Sequence, residues 1–258
     1  MNILCIGDVV GSAGCDILRS HLPSLKKIKA IDLCIVNGEN AADGNGITPF
    51  AAKHLYDSGA DVITGGNHTF RNYKIHEMLD IDPFLIRPYN YPKSAYGCGI
   101  SIVDKGSLTV AVINMIGVVF MENMDDPFGS LDTAIYEAKA ADVDIIIVDF
   151  HAEATAEKRA CAFYVDGRVS AFFGTHTHVL TADETVLPQG TGYITDIGMT
   201  GPINSVLGIK PELAIAKQKD KMPVRFQTAD GPCMINGCIF YIDDKTGLCT
   251  GAERISIQ

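Results

Sequence analysis

Gly174-Thr175-His176-Thr177-His178 puts two imidazoles two residues apart on an extended segment after a strand-like run, a spacing that lets them address two different cations. A surface histidine pair in a polar loop would carry the same pattern, so the other polar segments decide. Gly38-Glu39-Asn40-Ala41-Ala42 ends an apolar run with a carboxylate beside a carboxamide, and such a carboxylate must be solvated, paired or bound to a cation. Gly65-Gly66-Asn67-His68-Thr69 offers a second carboxamide and another imidazole, where the bland alternative is a turn-forming Asn. His151 stands at the mouth of the very apolar run Ile145 to Phe150. Asp8, in Gly7-Asp8-Val9-Val10-Gly11, is by itself an ordinary turn residue.

Together Asp8, Glu39, Asn40, Asn67, His151, His176 and His178 form a mixed nitrogen and oxygen set suited to Mn, Fe, Zn or Co rather than to Ca or Mg. These are more ligands than one ion uses while keeping a position open, so two ions are expected. Two cations about 3.5–4 Å apart polarise a bridging water to hydroxide and neutralise phosphoryl oxygens during in-line displacement. The expected reaction is phosphoester hydrolysis. Metal ligands bind deprotonated, so occupancy and activity are expected to fall as pH drops through the imidazole range.

What must position these side chains is an alternation of short apolar runs with helical patterns. Strands are expected at Asn2 to Ile6, Ile31 to Val36, Val62 to Thr64, Leu108 to Asn114, Ile145 to Phe150, Ala171 to Phe173 and Tyr193 to Thr195. Apolar residues three and four apart around Ile17, Phe50 and Leu131 predict helices, with Thr48-Pro49 and Ser130 as start signals. Pro202 to Pro223 reads as an excursion with its own helix around Glu212 to Lys217. The class is α/β, with residues 1–258 as a single domain. The polar residues sit where strands end, and open α/β sheets bind ligands beyond the carboxyl ends of their strands.

The 258 residues carry 21 Lys+Arg against 31 Asp+Glu, and a net charge of -10 repels long nucleic acid, leaving small anions as partners where a positive centre exists. The longest apolar run, Val110 to Met121, is broken by Asn114 and Gly117 and falls short of the ~20 residues of a membrane helix. Neither a leader segment nor a membrane span is read, and the expected location is cytoplasmic. The same run either reaches an interface in a homo-oligomer, the expected assembly, or fills the core. The 8 Cys show no paired CxxC spacing.

The motifs GDVVG, NGEN, GNH, VDFHAEAT and GTHTHV, with DIGMTGP near Asp196, resemble the YmdB-type metallophosphoesterases of the calcineurin-like superfamily, in the same order from residue 1 to about Pro202. The resemblance implies a four-layer metallophosphoesterase fold, two mixed β-sheets packed face to face and flanked by helices. It implies Asp8, Glu39, Asn40 and His178 on one metal, and Glu39, Asn67, His151 and His176 on the other, with Glu39 bridging. It implies His68 as the acid that protonates the leaving oxygen, iron or manganese as the two divalent or mixed-valence ions, and 2′,3′-cyclic nucleotides as substrates hydrolysed to nucleoside monophosphates. Where the wider superfamily begins D-x-H, this chain has Val10, and Asn40 is expected to replace that histidine. A metal-dependent phosphomonoesterase and a non-catalytic nucleotide-sensing regulator are the alternatives. Asp196 either orients a ligand histidine or closes a strand-end turn. Arg87, Tyr89 and Tyr91 either grip phosphate or stack a base or, the favoured reading beside Pro88 and Pro92, form a solvated proline-rich loop, and Asp43 to Gly46 reads as a flexible rim. His21, His54 and His76 lie in helix patterns without ligand partners.

Overall fold

The computed structural model describes residues 1–43 and 45–258; Gly44, within the segment read as a rim, lies outside the described residues. Strands β1 (Asn2–Ile6), β2 (Asp8–Val9), β3 (Leu33–Asn37), β4 (Val62–Thr64), β11 (Met199–Pro202), β12 (Cys233–Ile242) and β13 (Cys249–Ile257) make a seven-stranded sheet. Its order is β2-β11-β12-β1-β3-β4, with β13 against β12. Strands β5 (Ile100–Asp104), β6 (Thr109–Ile116), β7 (Ile145–His151), β8 (Ala171–Thr175), β9 (Thr185–Val186) and β10 (Gly192–Ile194) make a second sheet in the order β5-β6-β7-β8-β10-β9. Both are mixed. β1, β3 and β4 run parallel and β12 antiparallel to β1, whereas β6, β7, β8 and β10 run parallel between antiparallel edges.

Side-chain alternation builds the layers. On β1 and β3, Leu4, Ile6, Cys34 and Val36 face outward onto α1 (Gly11–Ile28) and α2 (Pro49–Ser58), while Ile3, Cys5, Leu33 and Ile35 face the second sheet. On β7, Ile145 and Ile147 face the first sheet, and Ile146, Val148 and Phe150 face α4 (Pro127–Ala140) and α5 (Thr155–Tyr164). The result is helices, sheet, sheet, helices, the expected four layers. The short α3 (His76–Ile81) and the excursion helix α6 (Pro211–Asp220) complete the set.

Helix α2 starts where Thr48-Pro49 predicted: the Thr48 hydroxyl accepts from Ala51 N at 3.2 Å. Helix α4 does not start at Ser130. Its cap is Asp126, whose carboxylate accepts from Gly129 N at 2.8 Å, with Pro127 in the first position. The run Val110 to Met121 mostly fills the core as β6, and only its end emerges, at Val119 and the fully displayed Phe120.

Candidate metal centre

Each ligand candidate follows a strand whose inward alternation has just ended. On the face between the sheets, β3, β4, β6, β7 and β8 change from apolar residues to Asn37, Thr64, Asn114, Asp149 and Thr175, all at most 1% exposed. This polar floor is fully bonded. Asp149 accepts from Thr64 Oγ1 at 2.5 Å, Thr175 Oγ1 at 2.7 Å and Asn37 Nδ2 at 3.0 Å. Burial pushes its carboxyl up to about 6, against the lowering effect of those donors.

The floor fixes the His151 tautomer. Because the Thr175 hydroxyl gives its proton to Asp149, its oxygen accepts from His151 Nδ1 at 2.9 Å, leaving the Nε2 lone pair to face the centre. There it meets Asn67 Oδ1 at 2.9 Å, His176 Nδ1 at 3.1 Å and Glu39 Oε2 at 3.3 Å. His176 Nε2 is turned to Glu153 Oε2 at 3.2 Å, so His176 Nδ1 also presents a lone pair. With the rings so protonated and Asn67 turned by its oxygen, four acceptors converge without a proton to separate them. A cation satisfies that arrangement, and ligand atoms of Glu39, His151 and His176 all lie within 4.8 Å of one another.

Across Glu39 lie the other three candidates. Asp8 Oδ2 accepts the His176 backbone N–H at 3.1 Å, but its buried Oδ1 has no hydrogen-bond partner among the described residues. That orphaned oxygen stands 3.8 Å from His178 Nε2 and 3.9 Å from His151 Nδ1. His178 Nδ1–H donates to the Leu207 carbonyl at 3.1 Å, again turning Nε2 inward. Asn40 shows Nδ2 rather than Oδ1 to Glu39 Oε1 (2.6 Å) and His178 Nε2 (3.3 Å), and a half-turn of the amide presents the oxygen instead. The structure therefore brings all seven predicted ligand residues together around Glu39, and the chemistry of the donor set fits divalent ions.

The electrostatics agree. Burial, with Glu39 and Asp196 nearby, holds the Asp8 carboxyl well above the usual carboxylate range. Burial acts the same way on Glu39, but His151 and His68 outweigh it and hold that carboxyl well below. Burial pushes His151 down to about 3 and lowers His176 and His178 as well, so all three are neutral at pH 7, the form a metal binds. His68 lies beside this set. Its backbone N–H donates to Glu39 Oε2 at 2.9 Å, and its Nδ1 lies 3.0 Å from Asn40 Oδ1 and 3.2 Å from Glu39 Oε1. Its Nε2 has no partner among the described residues, and the ring lines a cleft of about 280 Å³ shared with Glu39, His176 and His178.

Lys158 was not singled out in the sequence. It is fully buried, its methylenes run over Gly174, where a Cβ would stand 2.8 Å from Lys158 Cδ, and its ammonium reaches Asp196 Oδ2 at 2.7 Å. The same Asp196 oxygen accepts from Thr177 N at 3.0 Å and Thr177 Oγ1 at 2.7 Å. Thr177 separates His176 (φ 97°) and His178 (φ 63°), two left-handed residues costing ~1–3 kcal/mol each. Asp196 therefore orients the ligand turn. Arg87 donates to the Pro88 and Tyr89 carbonyls at 2.8 and 3.0 Å and is buried, so it braces a loop instead of being solvated.

A family model described as YmdB-like protein matches residues 4–255. A 2′,3′-cyclic-nucleotide 2′-phosphodiesterase of Bacillus subtilis (strain 168) is 48% identical over 258 residues, covering 100% of this chain and 97% of the relative. The crystal structure of a hypothetical protein from Thermus thermophilus matches with a TM-score of 0.94 and 36% identity, over 99% of this chain and 98% of that one. That of a novel phosphatase from Mycoplasma pneumoniae matches with a TM-score of 0.93 and 34% identity, over 100% of this chain and 93% of that one.

Proposed function

The chain belongs to the YmdB-like family, and from that premise we propose that it is a dinuclear-metal phosphodiesterase that opens 2′,3′-cyclic nucleotides to nucleoside monophosphates. The observation that carries this is the convergence of Glu39, Asn67, His151 and His176 lone pairs beside the orphaned Asp8 oxygen, with His68 at the edge of the same cleft. Asp8, Asn40 and His178 would hold one ion and Asn67, His151 and His176 the other, with Glu39 available to both. The mixed donor set suits iron or manganese. When bound, such ions supply Lewis-acid charge to phosphoryl oxygens and lower the pKa of coordinated water.

The chain's own contribution is orientation and a proton. Glu39 anchors His68 through Nδ1, and the doubly protonated ring would offer its Nε2 proton to the departing oxygen. The oxygen of water bonds to phosphorus as the P–O2′ bond breaks, the 2′-oxygen takes the proton from His68, the proton that the attacking water gives up to solvent is matched by one that returns to His68, and the 3′-ester is kept. The name of the Bacillus subtilis relative supports that choice of bond. Residues 1–258 act as one catalytic domain, since β1 pairs directly with β12 near the other end of the chain.

The test is a substrate panel on protein loaded with manganese. His68→Ala is expected to lower turnover of 2′,3′-cyclic AMP about 10²–10⁴-fold with metal content retained. Turnover of p-nitrophenyl phosphate alone would instead make it a phosphomonoesterase, and nucleotide binding without turnover a sensor.

A further inference from the structure

Beside the metal-facing cleft lies a second lobe of about 450 Å³, and the two share Asn40, Asn45, Ile209 and Phe226 as walls. No ligand candidate except Asn40 reaches into this lobe. Its distinctive wall is Phe226, an aromatic ring left 44% exposed at the junction of the two spaces. Isolated exposed rings are ordinary, but this one is held in place. The excursion that carries it closes on itself through Lys210 N to the Gln227 carbonyl (3.0 Å) and Ala229 N to the Gly208 carbonyl (2.8 Å). Its tip is tied to the metal group through the His178 to Leu207 hydrogen bond. Phe226 is thus a fixed platform registered to the chemistry. Around it the lobe turns polar, with Asn45, Thr228 and Arg225, and Arg225 has neither an ion-pair nor a hydrogen-bond partner among the described residues.

A flat apolar face at the edge of a phosphate-binding cleft, followed by donors and acceptors, matches a planar heterocycle carrying its own polar edge. We propose that this lobe is the nucleobase subsite: Phe226 stacks on the base while Asn45, Thr228 and Arg225 face its polar edge. The inference rests on the phosphodiesterase reading, and it makes the excursion between Pro202 and Thr228 the element that distinguishes nucleotides from simple phosphodiesters.

The experiment is calorimetric binding to manganese-loaded full-length protein, with adenosine 3′-monophosphate and a base-free ribose phosphate as probes. Wild type is expected to bind the nucleotide about tenfold more tightly than the base-free probe, in keeping with the strength of base–aromatic stacking. Phe226→Ala should remove that difference, Phe226→Tyr should keep it, and the affinity of the base-free probe should stay the same in all three. Equal affinities for the two probes in wild type, or a preference that survives in Phe226→Ala, would overturn the subsite. The phosphodiesterase reading fails separately, through absence of 2′,3′-cyclic AMP turnover in wild type, and the binding comparison still decides the subsite in that case. Turnover adds a second measure: Phe226→Ala should raise KM for 2′,3′-cyclic AMP with kcat little changed.

Discussion

Replacing Lys158 by Met keeps a side chain of similar length in its tunnel over Gly174 but strands the Asp196 carboxylate, since both partners are fully buried. At 2.7 Å the two charges attract by ~6 kcal/mol at an effective dielectric constant of ~20. Most of that attraction offsets the desolvation of the two ions, so the pair itself adds little net stability. Breaking it is different, because the remaining charge keeps its desolvation cost; removing one partner of such a pair costs ~3–5 kcal/mol. Asp196 retains Thr177 N, Thr177 Oγ1 and Gly198 N as donors, which places Lys158→Met at the lower end, ~3 kcal/mol. Urea denaturation at pH 7 with an unchanged m-value measures this. The double variant Lys158→Met/Asp196→Asn should recover ~2 kcal/mol, since no buried charge is left alone. Because Asp196 holds Thr177 between two left-handed histidines, Lys158→Met should also weaken manganese binding about 10–100-fold. A stability loss below ~1 kcal/mol, or additive variants with unaltered manganese affinity, would refute the clamp.

Two further perturbations separate the metal groups from the scaffold. In Gly66→Ala the new methyl would overlap both Glu39 Oε2 and His151 Nε2, so elemental analysis should find metal content sharply reduced while circular dichroism still shows the native fold; normal metal content would show that those two atoms are not ligands. Acidification should remove the ions one at a time. Protons compete early for Asp8, whose carboxyl is raised chiefly by burial, and late for His151, which burial pushes down to about 3. In metal-free protein His151 is a depressed group: its contribution to stability is fully present above ~6.5 and is lost as pH falls from there toward about 3. Metal content measured in steps from pH 7 to pH 4 should therefore pass through a plateau of one ion per chain, with the ion beside Asp8 leaving first. A single simultaneous loss through that range would contradict the burial argument.

The ligand residues were legible because each is a polar interruption after an apolar strand, and strand ends in such sheets converge. Asn2 to Ile6 and Val62 to Thr64 coincide with β1 and β4, and the excursion helix falls where expected. Strands β12 and β13 escaped for a physical reason. Asn236 and Gly237 split β12, although its second half, Cys238 to Ile242, is a continuous apolar run, and the outer strand β13 alternates Thr250, Glu253 and Arg254 with short stretches of apolar sequence, so that only β13 lacks a buried strand's hydrophobicity. The place of β12 comes from pairing with β1, a contact between sequence-distant residues, and that of β13 from pairing with β12.

The polar floor was harder to see, because Asn37, Thr64, Asn114, Asp149 and Thr175 occupy alternation positions that belong to the core. Read singly, each is a polar residue in a strand. Read by face, all five follow inward apolar residues at a spacing of two, as in Ile145, Ile147 and Asp149. That shared parity is the signal that they meet between the sheets. Lys158 left no comparable trace: a lysine in the first turn of α5 looks like a solvent-facing residue, and only Gly174 beneath it and Asp196 across the sheet explain its burial. The identity of the candidate ligands was thus written locally in the chain, whereas what keeps each one's proton and rotamer in place depends on side chains as much as 138 residues apart, and it is this support that turns seven polar residues into a candidate metal centre.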